Sequence, residues 1–395
     1  YTADFNLPQQ LHAAFLRSDH AHAVIKRIET KRAAAMPGVK LILTGADFAN
    51  QGFRTLPSLI TFPGRQGFKL VQPERLPLAH QRVRFVGEPV VMVVAETAAQ
   101  ALDATEAIDI DYEELPVVID VERATAAGAP LVHAHAPGNV CFDFEYGDEE
   151  KTNALFASAA HVVKLSMDSP RVAPNPMETR AALVAWDEAN GRYAVRIPNQ
   201  GAFAIGAGLA TVLGIEPSKV RVEAVDTGGA FGARTSPYYE FAAVAFAARK
   251  AGRPVKWVST RSEDFTNDGH GRAVRLSGEL ALDRDGKFLA LRTKWLADSG
   301  AYLCQAGALT NCGNNKTIGA GPYHVQAVYS RHLQVLTNTT PTEAFRGAGR
   351  PEAVYIVERL VDEAARVLKM DPLEIRRRNA IPRALSPFTS VSGTP

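Results

Sequence analysis

A glycine-rich segment, residues 225–234, places the strongest constraint on how this chain folds. It follows an alternating, strand-like run, precedes a helix-like stretch, and contains three glycines around Phe231. Glycine adopts backbone angles closed to other residues and lets main-chain N–H groups come close to a ligand. A strand, a glycine loop and a helix in this order direct several N–H donors toward one point. The segment therefore predicts a site for an anionic or oxygen-rich cofactor, although an ordinary tight turn has the same pattern.

A second glycine segment, residues 340–351, has the same design. It leads from a strand-like run to the predicted start of a helix, where Pro351 falls in the first turn and is tolerated. Two such loops predict a cradle for one large cofactor, with Arg346 and Arg350 available for its anionic groups. The alternative is that both arginines pair with surface carboxylates.

The composition, 46% hydrophobic and 22% charged over 395 residues, is that of a globular protein with two or three domains. A net charge of +2 gives no reason to expect nucleic acid as a partner, and no apolar run approaches the ~18 residues that span a bilayer. The cysteines Cys141, Cys304 and Cys312 lack the spacing of a disulfide framework, a zinc site or an iron–sulfur cluster. With no signal peptide at the start, these features predict a cytoplasmic protein. Because the first residue is not Met, we expect the natural N-terminus to lie upstream.

The hydrophobic patterns divide the chain into a small α/β domain at residues 1–124, a linker at 125–150 and a larger α/β domain at 151–395. The linker is predicted from its Ala, Gly and Pro content and its weak periodicity. In the larger domain, a turn at residues 283–286 predicts a hairpin. The elements predicted there are strands at 178–186, 192–196, 219–225, 276–282, 288–295 and 333–336, and helices at 202–213, 238–249, 350–368 and 371–378.

The small domain contains a continuous apolar run at residues 89–95, which predicts a strand buried on both faces. Thr97 is a candidate N-cap for the helix that follows it. Alternation of apolar and acidic residues at 108–112 then predicts a half-buried strand, so that the unit is β-α-β. Further strands are predicted at residues 11–16 and 39–43.

Two histidine pairs, His20 with His22 and His133 with His135, place two imidazoles on one face of an extended segment, as a metal ion would require. Neither pair has a third ligand nearby in the sequence, so a structural role is favoured for both, and His270 is interpreted in the same way. The motifs of serine hydrolases, P-loop proteins and dinucleotide-binding domains are missing from the sequence, which argues against these classes.

Five motifs occur in order along the chain: residues 86–90 together with 112–116, then 176–178, 199–200, 228–232 and 344–349. In this order and at this spacing, the chain resembles the N-terminal portion of the molybdenum-cofactor subunits of the xanthine oxidase, aldehyde oxidase and carbon monoxide dehydrogenase family. The resemblance implies an α/β (α+β) fold. A small hammerhead-type α/β domain would be followed by the first half of a molybdenum-cofactor-binding α/β domain.

The resemblance also implies a hydroxylase whose molybdenum is held by the sulfurs of a pterin, molybdopterin, in its cytosine dinucleotide form. By motif match, Gln200 hydrogen-bonds an oxygen ligand of the metal, and the backbone amide of Phe231 does likewise. Arg346 occupies the metal-facing position of the second loop, where the family uses a main-chain amide. The pterin and its phosphate tail would be lined by Gly229, Ala230 and Gly232.

Departures from the family's motifs bear on the substrate. Gly347 stands where carbon monoxide dehydrogenases of the family carry a cysteine for a second metal, which disfavours carbon monoxide. Xanthine-type enzymes have a glutamate at Thr235, a phenylalanine at Ala348 and an arginine near Asn314, so xanthine is disfavoured as well. The resemblance therefore implies that an aldehyde or N-heteroaromatic carbon is hydroxylated with oxygen derived from water.

The family's general base is a glutamate in the second half of the cofactor domain, beyond the last residue here, so no catalytic residue is assigned. Glu178 and Glu343 do not match it. The expected partners are that second half, unless the chain is a fragment, together with an iron–sulfur subunit carrying [2Fe–2S] clusters and an FAD subunit, which would receive the electrons. One alternative is a non-catalytic cofactor-binding or assembly module of the same fold. Another, weaker one is a nucleotide-binding α/β protein.

Overall fold

The computed structural model describes residues 1–393, which form three β-sheets flanked by helices. The strands are β1 Leu11–Arg17, β2 Ala23–Glu29, β3 Val39–Thr44, β4 Arg82–Val83, β5 Pro89–Ala95, β6 Asp109–Glu114, β7 Val140–Gly147, β8 His161–Ser169, β9 Ala181–Asp187, β10 Arg192–Arg196, β11 Val220–Glu223, β12 Val255–Val258, β13 Val274–Leu282, β14 Phe288–Gly300 and β15 Ala327–Leu336. The α-helices are α1 Lys31–Ala34, α2 Gly45–Phe48, α3 Ala98–Glu106, α4 Val121–Ala124, α5 Glu149–Ser158, α6 Ala202–Leu213, α7 Tyr239–Ala251, α8 Arg261–Asn267, α9 Gly307–Asn311, α10 Gly313–Ile318, α11 Arg350–Leu368 and α12 Pro372–Asn379. The predicted α/β fold class is confirmed.

The largest sheet has seven strands in the order β11-β10-β9-β12-β1-β5-β3. Strand β5 is buried at every position, as its continuous apolar run predicts. Strand β1 pairs with β5 on one side and, in parallel, with β12 on the other, where Leu11 lies opposite Val255. The predicted small and larger domains therefore contribute strands to one sheet. The predicted larger domain, 151–395, ends in two residues, 394 and 395, that lie outside the described residues.

The unit β5-α3-β6 has the predicted order of elements, and the Thr97 side chain caps α3 by accepting the amide hydrogen of Gln100. Its two strands nevertheless belong to different sheets, because β6 pairs with β2 in a three-stranded sheet of order β4-β2-β6. Strand β6 is largely exposed, unlike β5. Its acidic residues suit a surface sheet, so the predicted unit is correct in order but is not joined within one sheet.

The third sheet has the order β7-β15-β14-β13-β8. Strands β13 and β14 form the predicted hairpin, with Leu280 opposite Leu291. Helix α11, whose bounds match the prediction, packs on this sheet so closely that a Cβ on Gly278 would lie 2.8 Å from the Leu360 side chain. A shared core of sheet and helix side chains therefore holds α11 in place.

The prediction of a linker at residues 125–150 is wrong for β7, which lies inside it and pairs with β15. Phe142, Phe144 and Tyr146 of this strand are buried in the core beneath the five-stranded sheet. The Ala, Gly and Pro residues that precede β7 obscured its short apolar run in the sequence. The chain thus enters the second core about ten residues earlier than the predicted domain start.

Two long loops leave these sheets on the way to helices. The first glycine loop, residues 224–238, joins β11 to α7, and the second glycine loop, residues 337–349, joins β15 to α11. Helices α6 and α7 pack against the seven-stranded sheet and support the first loop. Among residues 1–393, none of the helices combines the length and the apolar character needed to cross a membrane.

Candidate functional site

The two glycine loops meet. The amide of Arg346 in the second loop donates a hydrogen bond of 2.7 Å to the carbonyl oxygen of Phe231 in the first. A Cβ on Gly232 would lie 2.6 Å from the carbonyl oxygen of Ala344, too close for any other residue without movement. The loops therefore build one continuous backbone surface, as their common design predicted.

The first loop has an unusual backbone at its tip. Gly229, Phe231 and Gly232 have φ angles of 104°, 51° and 102°, a left-handed conformation that is uncommon for a residue such as phenylalanine. Within the described part of the chain, the amide hydrogens of Gly229, Ala230 and Phe231 have no acceptor. Three consecutive amides without an acceptor offer hydrogen-bond donors of the kind that bind oxygen-rich anions.

Glu178 anchors the start of the first loop. Its carboxylate accepts hydrogen bonds from the amides of Gly228, at 2.7 Å, and Thr2, at 2.9 Å. Its own amide donates to the carbonyl oxygen of Gly228 at 3.0 Å, which closes a two-bond clamp. Such charge-assisted bonds are strong, so Glu178 fixes the loop that carries the free amides. The sequence motifs alone give this residue no role.

Gln200 lies against the first loop, and its orientation is chemically defined. Its side-chain oxygen accepts hydrogen bonds from the amides of Gly232, at 2.9 Å, and Arg234, at 3.3 Å. Since both partners are donors, the oxygen end of the carboxamide must face them. The side-chain NH₂ group is therefore directed away from the loop, and Gln200 is exposed. It is free to donate to a ligand in front of the loop.

A buried ion pair lies beneath the first loop. Arg234 is buried, and its Nη1 atom donates to both carboxylate oxygens of Asp268, at 2.9 and 3.1 Å. The hydroxyl of Tyr238 also bonds to Asp268, and burial raises the pKa of Tyr238 well above its ordinary value. The Nε and Nη2 atoms of Arg234 have no partner among the described atoms. Removing one member of such a pair is strongly destabilising, so Arg234 is held rigidly.

The second loop is held from the side by α9 and α10. Asn314 donates a 3.0 Å hydrogen bond to the carbonyl oxygen of Ala348, whose φ of 49° is left-handed. A Cβ on Gly349 would lie 1.8 Å from the carbonyl oxygen of Thr310, so only glycine fits there. The left-handed stretch of the second loop is thus fixed by the helices beside it.

Arg346 in the second loop and Arg350 at the start of α11 are engaged differently. The main-chain amide of Arg346 donates its hydrogen bond to the carbonyl oxygen of Phe231. To contact a metal ligand, this amide would have to give up its bond to Phe231. The role of Arg346 stays a prediction. Arg350 is exposed, and its Nη2 atom lies 3.5 Å from the side-chain oxygen of Asn314. The side chain of Arg350 thereby reaches the predicted substrate-pocket residue Asn314.

The predicted substrate-pocket residues Thr235, Asn314 and Ala348 all belong to, or contact, the two loops. The Thr235 hydroxyl donates to the carbonyl oxygen of Gly232 at 2.7 Å, and Asn314 donates to Ala348. Both polar side chains are therefore engaged by loop backbone. Their role toward a substrate stays a prediction.

Three of the five histidines predicted to be structural, His22, His133 and His270, bond to backbone carbonyl oxygens, while His20 pairs with the Asp19 carboxylate. His22 bonds to the carbonyl oxygen of Pro116 and His133 to that of Ala301, both at 2.8 Å, and burial lowers the pKa of His133 to about 3. His270 bonds to the carbonyl oxygen of Phe265 at 3.0 Å. No group of three or more metal-binding side chains occurs among residues 1–393. These bonds account for the positions of the three imidazoles without a metal ion.

Glu343, which the sequence analysis left without a role, is a buried carboxylate in the second loop. It accepts hydrogen bonds from the amides of Ala344 and Ala306, at 2.9 and 3.0 Å. Burial raises the pKa of this carboxyl to about 6, more than the two amides lower it. It borders a cavity of about 40 Å³ beneath both loops.

The raised pKa of Glu343 predicts a pH-dependent stability difference. A folded-state pKa near 6, against 4.5 for an ordinary glutamate, contributes stability that is complete below pH 4.5 and is lost as the pH rises through 6. Glutamine does not titrate. The native protein should therefore lose stability relative to Glu343→Gln as the pH rises. The difference between their unfolding free energies, native minus variant, should fall by about 2 kcal/mol between pH 4 and pH 7. Urea unfolding at intermediate pH values measures this difference. The exposed Glu216→Gln is the control, for which we expect no such change.

Comparison with protein-family models matches two regions of the chain. Residues 1–116 match the aldehyde oxidase and xanthine dehydrogenase a/b hammerhead domain, and residues 132–380 match the molybdopterin cofactor-binding domain. The second match includes Gln200 and both glycine loops. It also includes β7, which supports placing that strand with the larger domain rather than in a linker.

Several known proteins are similar over nearly the whole chain. The carbon monoxide dehydrogenase large chain of Hydrogenophaga pseudoflava is 34% identical, over 100% of this chain and 49% of that protein. The nicotinate dehydrogenase large molybdopterin subunit of Eubacterium barkeri is 28% identical, over 96% of this chain and 84% of that protein. The crystal structure of quinoline 2-oxidoreductase from Pseudomonas putida 86 has a TM-score of 0.89 and 36% identity, over 100% of this chain and 49% of that one. The chain thus spans about half the length of two of these relatives and most of the third.

Proposed function

Because the chain belongs to the xanthine dehydrogenase and aldehyde oxidase family of molybdenum hydroxylases, we propose that it supplies one half of a molybdopterin-dependent active site. The enzyme would hydroxylate an aldehyde or an N-heteroaromatic carbon with oxygen derived from water. The observation that carries this proposal is the hydrogen bond from Arg346 to Phe231, which joins the two glycine loops into one cradle. One cradle suits one large cofactor.

The residues of this cradle fit a pterin cofactor with an anionic tail. The three free amides of Gly229, Ala230 and Phe231 are donors for oxygen atoms, which such a cofactor has in excess. The close approach at Gly232 leaves no room for a side chain between the loops. Both features serve to bind a ligand through backbone, and neither depends on a cluster of metal-binding side chains. We propose the cytosine dinucleotide form of molybdopterin as the ligand.

In this arrangement the chain binds and orients, while the bound molybdenum would supply two-electron oxidation chemistry. Gly229, Ala230 and Gly232 would line the pterin, and the amide of Phe231 would donate a hydrogen bond to an oxygen ligand of the metal. The free NH₂ group of Gln200 would donate to the same centre, since its oxygen is already bound to the loop. Arg346 would complete this set from the second loop. Contacts of this kind tune a metal site and are sensitive to mutation.

The substrate class rests on the side chains around the cradle. Thr235 and Asn314 are themselves neutral and donate to loop backbone, while the guanidinium of Arg350, 3.5 Å from the Asn314 oxygen, is the charged group beside them. With the donors of Thr235 and Asn314 already bound to backbone, these two side chains offer little to a purine with several polar atoms, which favours an aldehyde or a nitrogen heterocycle. Gly347 brings no thiol for a second metal, which disfavours carbon monoxide. Similarity to proteins named for nicotinate and quinoline supports the heterocycle alternative.

We propose that partners complete the enzyme. The general-base glutamate would come from the second half of the molybdenum domain, in a separate subunit or in the rest of a longer chain. Met177 and Phe203, which are 91% and 97% exposed beside the residues that anchor the first loop, would be covered by that half. Large apolar side chains in such exposure mark interaction surfaces. Iron–sulfur and FAD subunits would accept the electrons, and we propose a cytoplasmic location. We also propose residues 1–124 and 151–395 as the two domains, with β7 added to the larger one.

Metal and pterin analysis of the purified complex tests the proposed function. Coexpression with the second half should give about one molybdenum per chain, a pterin released on denaturation, and dye-linked oxidation of an aldehyde or heterocycle. A complex that forms but contains no molybdenum would support the non-catalytic module instead. Release of an adenine nucleotide in place of a pterin would support the nucleotide-binding alternative.

A further inference from the structure

Glu343 holds the start of the segment that meets the first glycine loop. Its Oε1 atom accepts the amide hydrogen of Ala344, at 2.9 Å, and its own amide donates to the carbonyl oxygen of His270, at 2.7 Å. Three residues after Glu343, the amide of Arg346 makes the contact with Phe231. The direction in which this segment leaves the core is therefore set at Glu343.

The same oxygen atom also holds the far end of the segment, through two helices. It accepts the amide hydrogen of Ala306, at 3.0 Å, directly before α9. Helix α10 follows α9 and carries Asn314, which donates to the carbonyl oxygen of Ala348. Glu343, the two helices and residues 344–349 thus form a closed ring of contacts. The carboxylate of Glu343 therefore supports the start of the segment directly and its far end through α9 and α10.

A counter-charge faces Glu343 across the cavity beneath the loops. The cavity of about 40 Å³ is bordered by Glu343, by Ser236 and by Arg75 from the small domain. The guanidinium of Arg75 lies over the rings of Tyr239 and Tyr302, at 4.7 and 5.1 Å. It acts electrostatically on the carboxylate of Glu343, and it also feels the charge of the buried Glu240. The cavity is lined mostly by apolar surface, and its volume is enough for a water molecule beside the polar groups that border it. Arg75 is thereby placed to stabilise the carboxylate of Glu343 at a distance.

We propose that Glu343 is a positioning residue, which fixes residues 344–349 in the conformation that the cofactor requires, with Arg75 as its counter-charge. This inference rests on the proposed function. Glu343 is not a catalytic residue, because its Oε1 atom is committed to two backbone amides. What it contributes is an acceptor oxygen at one defined point.

Two substitutions in the full complex separate this role from simple packing. Glu343→Leu keeps roughly the size of the side chain but removes the hydrogen-bond acceptor, whereas Glu343→Gln keeps an acceptor oxygen. Loss of a buried charge-assisted bond should raise amide hydrogen exchange of residues 344–349 by at least roughly tenfold in the leucine variant, against less than about threefold for glutamine. In the leucine variant, kcat should fall by about 10- to 100-fold with little change in KM, and glutamine should restore most of it. Amide hydrogen exchange in the β13–β14 hairpin is the internal control, and it should be the same in both variants and the native protein.

Three outcomes would overturn the proposal. The first is a leucine variant with wild-type exchange at residues 344–349. The second is a glutamine variant as damaged as leucine, since the acceptor oxygen would then not be what matters. If Glu343→Leu fails to fold, Arg75→Met is measured in its place. The third outcome is wild-type amide hydrogen exchange at residues 344–349 in Arg75→Met. Molybdenum content is measured separately, so a molybdenum-free complex with accelerated exchange would refute the proposed function while supporting the positioning role.

Discussion

Gly232→Val is expected to abolish cofactor binding in the assembled complex. The φ of 102° at this position is costly for a β-branched residue, by about 1–3 kcal/mol. The added Cβ would also lie 2.6 Å from the carbonyl oxygen of Ala344, so the two glycine loops would have to separate. Separation would break the bond from Arg346 to Phe231 and distort the row of free amides. Molybdenum per chain, measured on the purified complex, should fall to less than about a tenth of the wild-type value.

A second glycine provides the matched control for this prediction. Gly67 has a φ of 80°, but a Cβ added there would meet no atom within 4 Å. Gly67→Val therefore carries the backbone strain without the clash, and molybdenum content should stay near the wild-type value. If both variants lost molybdenum equally, general destabilisation would explain the result. If Gly232→Val kept its molybdenum, the proposal of one cradle formed by both loops would be wrong.

The parts of the fold that were predicted from the sequence are those set by local signals. Helix α11 begins after Gly349 with Pro351 in its first turn, and its periodic apolar face fixes its extent, so its bounds match the prediction. Helix α6 was also predicted to the residue. Strand β5 is correct because a continuous apolar run of that length has one common interpretation.

The parts of the fold that the sequence did not predict depend on contacts between residues far apart in the chain. The pairing of β1 with β12 brings together Leu11 and Val255, and no local pattern encodes it. Strand β7 was taken for a linker because its pairing with β15 lies far along the chain. In each case the backbone follows a long-range partner, which periodicity alone does not identify.

The same distinction applies to the candidate site. The glycine loops were found from their composition, and their contact followed from the idea of a shared cofactor. The clamp by Glu178 and the buried Glu343 were missed, because a carboxylate that binds backbone amides has no sequence signature of its own. The signal that was available is position: Glu178 lies within the motif 176–178, and Glu343 directly precedes the motif 344–349 in the second glycine loop.

Gln200→Ala is expected to reduce turnover of the complete complex by about 10- to 100-fold with the overall fold intact. Two functions are lost together, because alanine has no oxygen to accept the amide hydrogens of Gly232 and Arg234 and no NH₂ group to donate to the cofactor. Gln200→Glu separates them, because a carboxylate still accepts both amide hydrogens but has no donor group. The glutamate variant should keep wild-type molybdenum content and wild-type amide exchange in the first loop, yet lose turnover as alanine does. Wild-type turnover in Gln200→Glu would mean that Gln200 acts only by holding the loop, and its assigned contact with the metal centre would have to be abandoned.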